Sequence, residues 1–521
     1  MLILNLPSTD PVIKNTVETR PRAVADWLDN LPFASPMHVA QQLLMALYAL
    51  NRHTLDDDDR FALLALYRPV VARAVASLED LIAEAGVPPH AQQRQIGTLL
   101  RELQIEHGIG YKHVLQALAT RRMVRPSAKR TAEAAARLLR ALYDIQIACH
   151  LTHVPPPAGL WREIHQVHAF AGASNLTQLA VNEAPTPGLA YCQAVLVARA
   201  DPPHMSHAEL VHTRLYLEKF ASLATLTTTP VNGHQGFGLR VDGDTAPSPI
   251  MAGPAPNSLW LDTDALCRHL QDTSLRLRTG DTPRQIGLPA GMESEISQSL
   301  CAYLQKQWCG GPQRAFRRHT PADSSVRMVA GLSAIHRLLN PDQLAPPSGV
   351  PDGTIDLAAP VASALAAPHA AVPSRWAVIN DSASGIALSS KPDDVLNLKV
   401  GDPLALQNDD TTAWSLGVIR WIRMRDAHQV DLGIERLSPQ IESVWVRPLR
   451  GHRTSTPEPA LFVPGIAALQ QNDRLLLPRH LYQLGMDAEV SHPPRQYTIS
   501  FGKRLDPTPS FDLIDFSLIA D

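Results

Sequence analysis

Apolar residues recur every three or four positions over the first part of the chain. They change to short alternating runs over the last part. Val39, Leu43, Leu47 and Leu50 fall on one helical face, and Leu63, Leu66, Val70 and Ala74 repeat the spacing. The pattern predicts helices through about Pro21 to Val154, including Pro89 to Ile105, Tyr111 to Ala119 and Ala128 to Cys149. Thr54 is a candidate cap for the second of these helices, with Asp56 to Asp59 placing negative charge in its first turn. Pro155-Pro156-Pro157 closes the block, and antiparallel helices with short loops are its natural packing. A second, mostly helical block runs from about Trp161 to Trp308. Its helices are expected over Leu160 to Phe170, Gly188 to Ala200, Ala208 to Leu223 and Glu293 to Gln307, with short strands at Gly236 to Val241 and Ser258 to Leu261. Whether it is a separate domain or continues the first bundle stays open.

From about Arg314 the pattern becomes that of strands. Seven short runs are expected, from Ser325 to Leu332, Arg375 to Ile379, Gly385 to Leu388, Pro403 to Gln407, Trp414 to Arg423, Gln429 to Arg436 and Ser443 to Val446. Turn residues separate them, as in a small barrel. Asn340 to Ser374, rich in proline and alanine, reads as a mobile insertion. Further strands at Arg474 to Leu477, Tyr497 to Phe501 and Phe511 to Leu518 suggest a second small β unit. The expected organisation is therefore α+β and multidomain. It has a helical domain over 1–155, a mostly helical second domain or bundle continuation over 156–310, a barrel over 311–450 with an insertion at 340–374, and a small β unit over 451–521.

Composition narrows this picture. A chain of 521 residues exceeds one core, and 45% hydrophobic residues suffice to fill several. Charged residues make up 19% and the formal net charge is -3, so bulk attraction to DNA or RNA is not expected. An anion site would have to be a local cluster. The five cysteines are scattered and odd in number, which fits a reduced cytoplasmic protein rather than a disulfide framework. The start lacks a basic n-region, and no run of 18 apolar residues appears, so neither a secretory signal nor a membrane span is expected.

The candidate chemistry lies in two segments. One is Arg314-Ala315-Phe316-Arg317-Arg318, in which Arg314 and Arg318 form R-x-x-x-R. The other is Asn380-Asp381-Ser382-Ala383-Ser384-Gly385, an N-x-S-x-x-G turn between two strands. Guanidinium groups fork to phosphate oxygens and stack on purine faces. A polar turn with glycine lets a flat ligand approach backbone. Gly417-Val418-Ile419-Arg420-Trp421-Ile422 and Val430-Asp431-Leu432-Gly433-Ile434-Glu435 follow as a strand pair.

This order resembles the PilZ domain, a six-stranded antiparallel barrel that binds the bacterial second messenger cyclic di-GMP. The resemblance covers about Arg314 to Val446, and the remaining layout is similar to long bacterial PilZ proteins with a helical N-terminal region. It implies a cyclic di-GMP site formed by Arg314, Arg317, Arg318, Asn380, Ser382 and Gly385, with no cofactor and no catalytic residues. It further implies an effector that couples the nucleotide to an unidentified protein partner through the helical region, controlling motility, pili or biofilm. The chain departs from the family in one respect. Arg318 and Asn380 lie 62 positions apart (380 − 318), more than the family usually has, so Arg317 or Arg327 is a candidate replacement for one arginine. Trp421 and Trp445 are the tryptophans nearest the expected ligand face, whereas Trp27, Trp161 and Trp308 read as core anchors.

Two other readings stand beside it. A degenerate barrel would leave a nucleotide-independent interaction scaffold built on the helical block. A metal-dependent hydrolase would use the i,i+3 pairs His150/His153 or His165/His168, though no third ligand stands at zincin spacing. No phosphate loop, nucleophile elbow, GGDEF or EAL signature occurs in the chain.

Overall fold

The computed structural model describes residues 2–9, 17–121, 127–246, 258–292, 294–309, 324–340, 372–391, 396–409, 411–425, 429–450, 453–454, 456–466 and 470–519. The chain divides into two compact units, one of residues 1–85 and 89–313, the other of 86–88 and 314–521.

The first unit holds ten helices among the described residues: α1 (Pro21–Asp29), α2 (Pro36–Arg52), α3 (Asp57–Ile82), α4 (Ala91–Thr120), α5 (Ala128–Leu151), α6 (Leu160–Ala173), α7 (Pro187–Arg199), α8 (His207–Phe220), α9 (Asp264–Arg278) and α10 (Ser294–Cys309). A small antiparallel sheet, ordered β1-β3-β2, is made from β1 (Thr225–Thr227), β2 (Gly236–Arg240) and β3 (Ser258–Asp262). One continuous apolar core runs from α1 to α10, so the two helical blocks are built around the same buried side chains. α3 is, among the described residues, the one helix long and apolar enough to cross a bilayer. Its Leu63, Leu64, Val71, Ala74 and Leu78 belong to this core.

Local physics explains two departures from the expected helices. The cap of α3 is Asp56, whose carboxylate accepts from the Asp58 amide at 2.8 Å, rather than Thr54. The expected break between Ile105 and Tyr111 is absent, and α4 runs through Gly108 and Gly110. A Cβ at Gly110 would lie 2.6 Å from Leu64 Cδ2, so this glycine serves close packing with α3 instead of ending the helix. The thiols also differ from expectation. Cys267 of α9 and Cys309 of α10 form a disulfide, while Cys149, Cys192 and Cys301 are buried and free.

The second unit contains two closed antiparallel β structures. β4 (Ser325–Ala330), β5 (Ser374–Ser382), β6 (Gly385–Ser390), β7 (Pro403–Asn408), β8 (Ser415–Met424) and β9 (Val430–Ser438) close in the order β4-β5-β6-β9-β8-β7. The six-stranded antiparallel barrel implied by the PilZ resemblance is therefore present, and the seventh expected run, Ser443 to Val446, lies outside it. The expected strand to Leu332 stops at Ala330, and α11 (Leu332–Leu339) follows it, a helix that the strand pattern did not predict. Trp376, Ile386, Leu388, Ile419, Leu432 and Ile434 fill the barrel, joined by Val87, which pairs with Leu398.

The remaining strands are β10 (Glu442–Arg450), β11 (Arg453–Thr454), β12 (Glu458–Val463), β13 (Arg474–Pro478), β14 (Asp487–His492), β15 (Arg495–Pro507) and β16 (Phe511–Leu518). β10 pairs with both β12 and β14, which closes this sheet into a second barrel. The two barrels share a core of Val329, Ala405, Leu416 and Val418 against Leu461, Leu476 and Phe511, with Ile335 of α11 between. The first barrel is thus covered on the β4, β7 and β8 side.

Candidate ligand-binding site

The site is built on the β5–β6 hairpin. Asp381 Oδ1 accepts from the Ser382 amide at 2.7 Å, and the Ser382 hydroxyl donates to the Gly385 carbonyl at 2.9 Å, so the turn is held by its own short side chains. Gly385 faces Glu435 in the β6–β9 ladder. A Cβ there would lie 2.6 Å from the Ile434 carbonyl oxygen, so the glycine is required by the neighbouring strand.

Strand register decides which way the motif faces. Val378 is opposite Leu388, inside the barrel, but Asn380 is opposite Ala387. The extra residue is Ile379, a β-bulge that reverses the alternation. Asn380 and Ser382 therefore share the outer face with Ala387 and Gly385, while Asp381 shares the inner face with Ile386. Asn380 is half-buried, and its amide makes no side-chain hydrogen bond among the described residues. The inner-facing Asp381 accepts from Arg436 Nη2 at 2.9 Å.

Arg314, Arg317 and Arg318 lie outside the described residues. The described chain resumes at Ser324, whose carbonyl accepts from the Val378 amide at 2.9 Å, two residues before Asn380. Arg318 is six residues upstream, within roughly 20 Å of extended chain. The start of β4 is anchored. Ser325 Oγ donates to Asp409 Oδ2 at 2.6 Å, and Arg375 Nη2 donates to the same oxygen at 2.8 Å. The Ser325 bond, and then the Arg375 charge, hold the Asp409 carboxyl below its usual range. Arg327 is exposed but sits opposite Arg375 and Gln407, a row five residues from Asn380 along β5, with its guanidinium 6.0 Å from the Trp414 ring.

Beneath the turn, at the same end of the barrel, lies a cavity of about 420 Å³. Ala383, Asn408 and Arg436 of the first barrel and Ile466 and Gln471 from the second line it. Arg436, inside β9, was not among the residues singled out from the sequence, although it closes the expected strand Gln429 to Arg436.

The other candidate residues fall elsewhere. Trp445 packs edge-on against His336, 4.7 Å between centroids, whereas Trp421 lies on the outer face of the barrel. Trp161 and Trp308 are buried core residues as expected. In the first unit His165 Nδ1 is 2.9 Å from the Tyr191 hydroxyl, and His168 stacks on the Tyr191 ring at 4.0 Å. Burial pushes both imidazoles down to about 4. The one group of three metal-capable side chains among the described residues is Asp56, Asp57 and Asp58 at the start of α3. Arg121 pairs with Asp57 at 2.6 Å, and Arg130 pairs with Asp58, as expected of a charged helix start.

Comparison with known proteins finds three family models in succession. Residues 22–231 match the N-terminal domain of the cyclic-di-GMP receptor FimW, residues 362–442 its middle PilZ domain, and residues 444–519 its C-terminal beta-barrel domain. The chain is 24% identical to the cyclic-di-GMP receptor FimW of Pseudomonas aeruginosa over 99% of its own length and 93% of that protein. No solved structure matches.

Proposed function

This chain belongs to the PilZ-domain cyclic di-GMP receptor family, in the long form with a helical N-terminal region, and on that premise we propose that it is itself a cyclic di-GMP effector. The observation that carries the reading is the bulge at Ile379, which turns Asn380 and Ser382 out onto one barrel face. Arg314, Arg317 and Arg318 would fold over that face from the β4 side, forking to the two phosphates and stacking on the guanines. Asn380 and Ser382 would bond the base edge or phosphate, and Gly385 would let strand and ligand lie close.

Receptor action requires that ligand favour one of two states. We assign the output to a protein partner engaged through the helical region, in a cytoplasmic setting, with motility, pili or biofilm as the controlled process. Binding rather than catalysis fits a relative described as a receptor. The test is isothermal titration of the full chain with cyclic di-GMP and with GMP. Tight binding of the dinucleotide alone is expected, weakened about 10-fold or more by Arg318→Ala and by Asn380→Ala. Equal weak heats for both nucleotides would instead favour a scaffold with a degenerate barrel.

A further inference from the structure

The helical unit contains a polar cavity where α3, α4 and α5 run side by side. α3 and α4 approach closely at Leu64 and Gly110. One turn further on, a cavity of about 90 Å³ opens between the helices. Arg68 and Ala72 of α3, His107 of α4, and Arg137 and Ala141 of α5 line it. The short alanines leave the space between the two arginines unfilled. A space of this size holds several waters or one small ion.

The wall is cationic, with an unsatisfied polar atom at depth. His107 is 8% exposed, and its Nε2 meets no hydrogen-bond partner among the described residues. Leaving such an atom unpaired is costly, so it calls for a partner in whatever fills the cavity. Burial, and then the charges of Arg68 and Arg137, push this imidazole down to about 4. At neutral pH it is uncharged and has one N–H to donate. Arg137 is itself lowered, by burial and then by the Arg68 charge. Two like charges beside a buried donor favour an anion. Arg140, also in the wall, is already neutralised by Asp144 and Glu218, each at 3.0 Å. Arg68 and Arg137 are held less completely. Among the described residues Arg68 donates one hydrogen bond, from Nη2 to Glu183 Oε2 at 2.9 Å. Arg137 donates to the Glu183 and Asn182 carbonyls and lies 3.7 Å from the Glu133 carboxylate. The Glu183 side chain is 77% exposed, and so open an ion pair is weak.

We propose that this cavity binds inorganic phosphate, through residues other than those assigned to cyclic di-GMP. Arg68 and Arg137 donate to its oxygens, and His107 donates from Nε2. The Glu183 carboxylate, which now occupies Arg68, gives way to the ion. Donors from three helices suit a tetrahedral group, whereas a planar carboxylate is satisfied by the fork of one arginine. Asp144 in the same wall selects phosphate over sulfate. A phosphate that retains a proton can donate to that carboxylate, and sulfate, which only accepts, is repelled by it.

The experiment is isothermal titration of the full chain with phosphate, sulfate and acetate, at an ionic strength held constant with sodium chloride, for the wild type, Arg68→Gln and Glu183→Gln. Phosphate is expected to bind about 10-fold more tightly than sulfate or acetate. Arg68→Gln should weaken phosphate about 10-fold, as loss of one charged hydrogen bond does. Glu183→Gln removes the competing carboxylate and should tighten phosphate about threefold. The Arg68 side chain is half-buried and that of Glu183 exposed, so both variants keep the helical core intact. No heat beyond that of chloride would mean that the cavity holds water alone, and the proposal falls. It falls equally if phosphate binds but neither substitution changes its affinity, because the ion then lies elsewhere. Acetate or sulfate binding as tightly as phosphate would overturn the choice of ion. Cyclic di-GMP takes no part in these titrations, so the receptor reading stands or falls separately.

Discussion

Gly385 shows how one residue type can be legible while its reason is not. A glycine at the end of N-x-S-x-x-G suggested space for a ligand, but its missing Cβ is already demanded by the Ile434 carbonyl, 2.6 Å from where that carbon would be. Gly385→Ala is therefore expected to part β6 from β9 and destabilise the second unit by about 1–3 kcal/mol, as overpacking does. Chemical denaturation of the purified variant would measure this directly. A stability equal to wild type would mean that β9 can give way at little cost.

At the scale of elements, the bulges at Ile379 of β5 and Arg420 of β8 matter most. Hydrophobic alternation located β5 and β8, because each carries apolar residues for the barrel interior. It could not locate Ile379 or Arg420 as extra residues, since a bulge is defined by the strand opposite. Deleting Ile379 should remove the bulge but leave Asn380 directly after Val378, still opposite Ala387 on the outer face. Cyclic di-GMP binding should therefore be retained within about threefold, as titration of the deletion would report, whereas its loss would show that the added twist of the bulge shapes the site. The α9–α10 pair makes a related point. Cys267 and Cys309 are 42 residues apart, and no local pattern links them. Under denaturing, non-reducing conditions three cysteines should alkylate, rising to five after reduction. Reduction should destabilise the first unit by on the order of 2–4 kcal/mol, the usual range for closing a loop of this length.

At the scale of the whole molecule, buried histidines give the helical unit a pH response. Burial lowers His107 and His165 to about 4, from an ordinary 6.5. Both are neutral in the folded and unfolded chain above pH 6.5. Below it the unfolded chain takes up protons first, so stability falls from about pH 6.5 to 4 and levels off beneath. At pH 5 each histidine should cost on the order of 2 kcal/mol. Unfolding followed at pH 7.5 and pH 5 should show this loss, and His165→Gln should flatten the slope.

The residue pattern alone determined that helices come first and a small β-barrel later, because periods of 3.6 and 2 are written in neighbouring positions. It also carried the motif at Asn380, Ser382 and Gly385, whose residue types favour a turn wherever they stand. Only the tertiary structure decided that Asn380 and Ser382 share the outer face, that Asp381 faces inward to Arg436, and that the last strands close a second barrel through β10 and β14. Those facts depend on which strand lies opposite which. Strand pairing is a long-range choice, settled when side chains far apart in sequence compete for the same buried space.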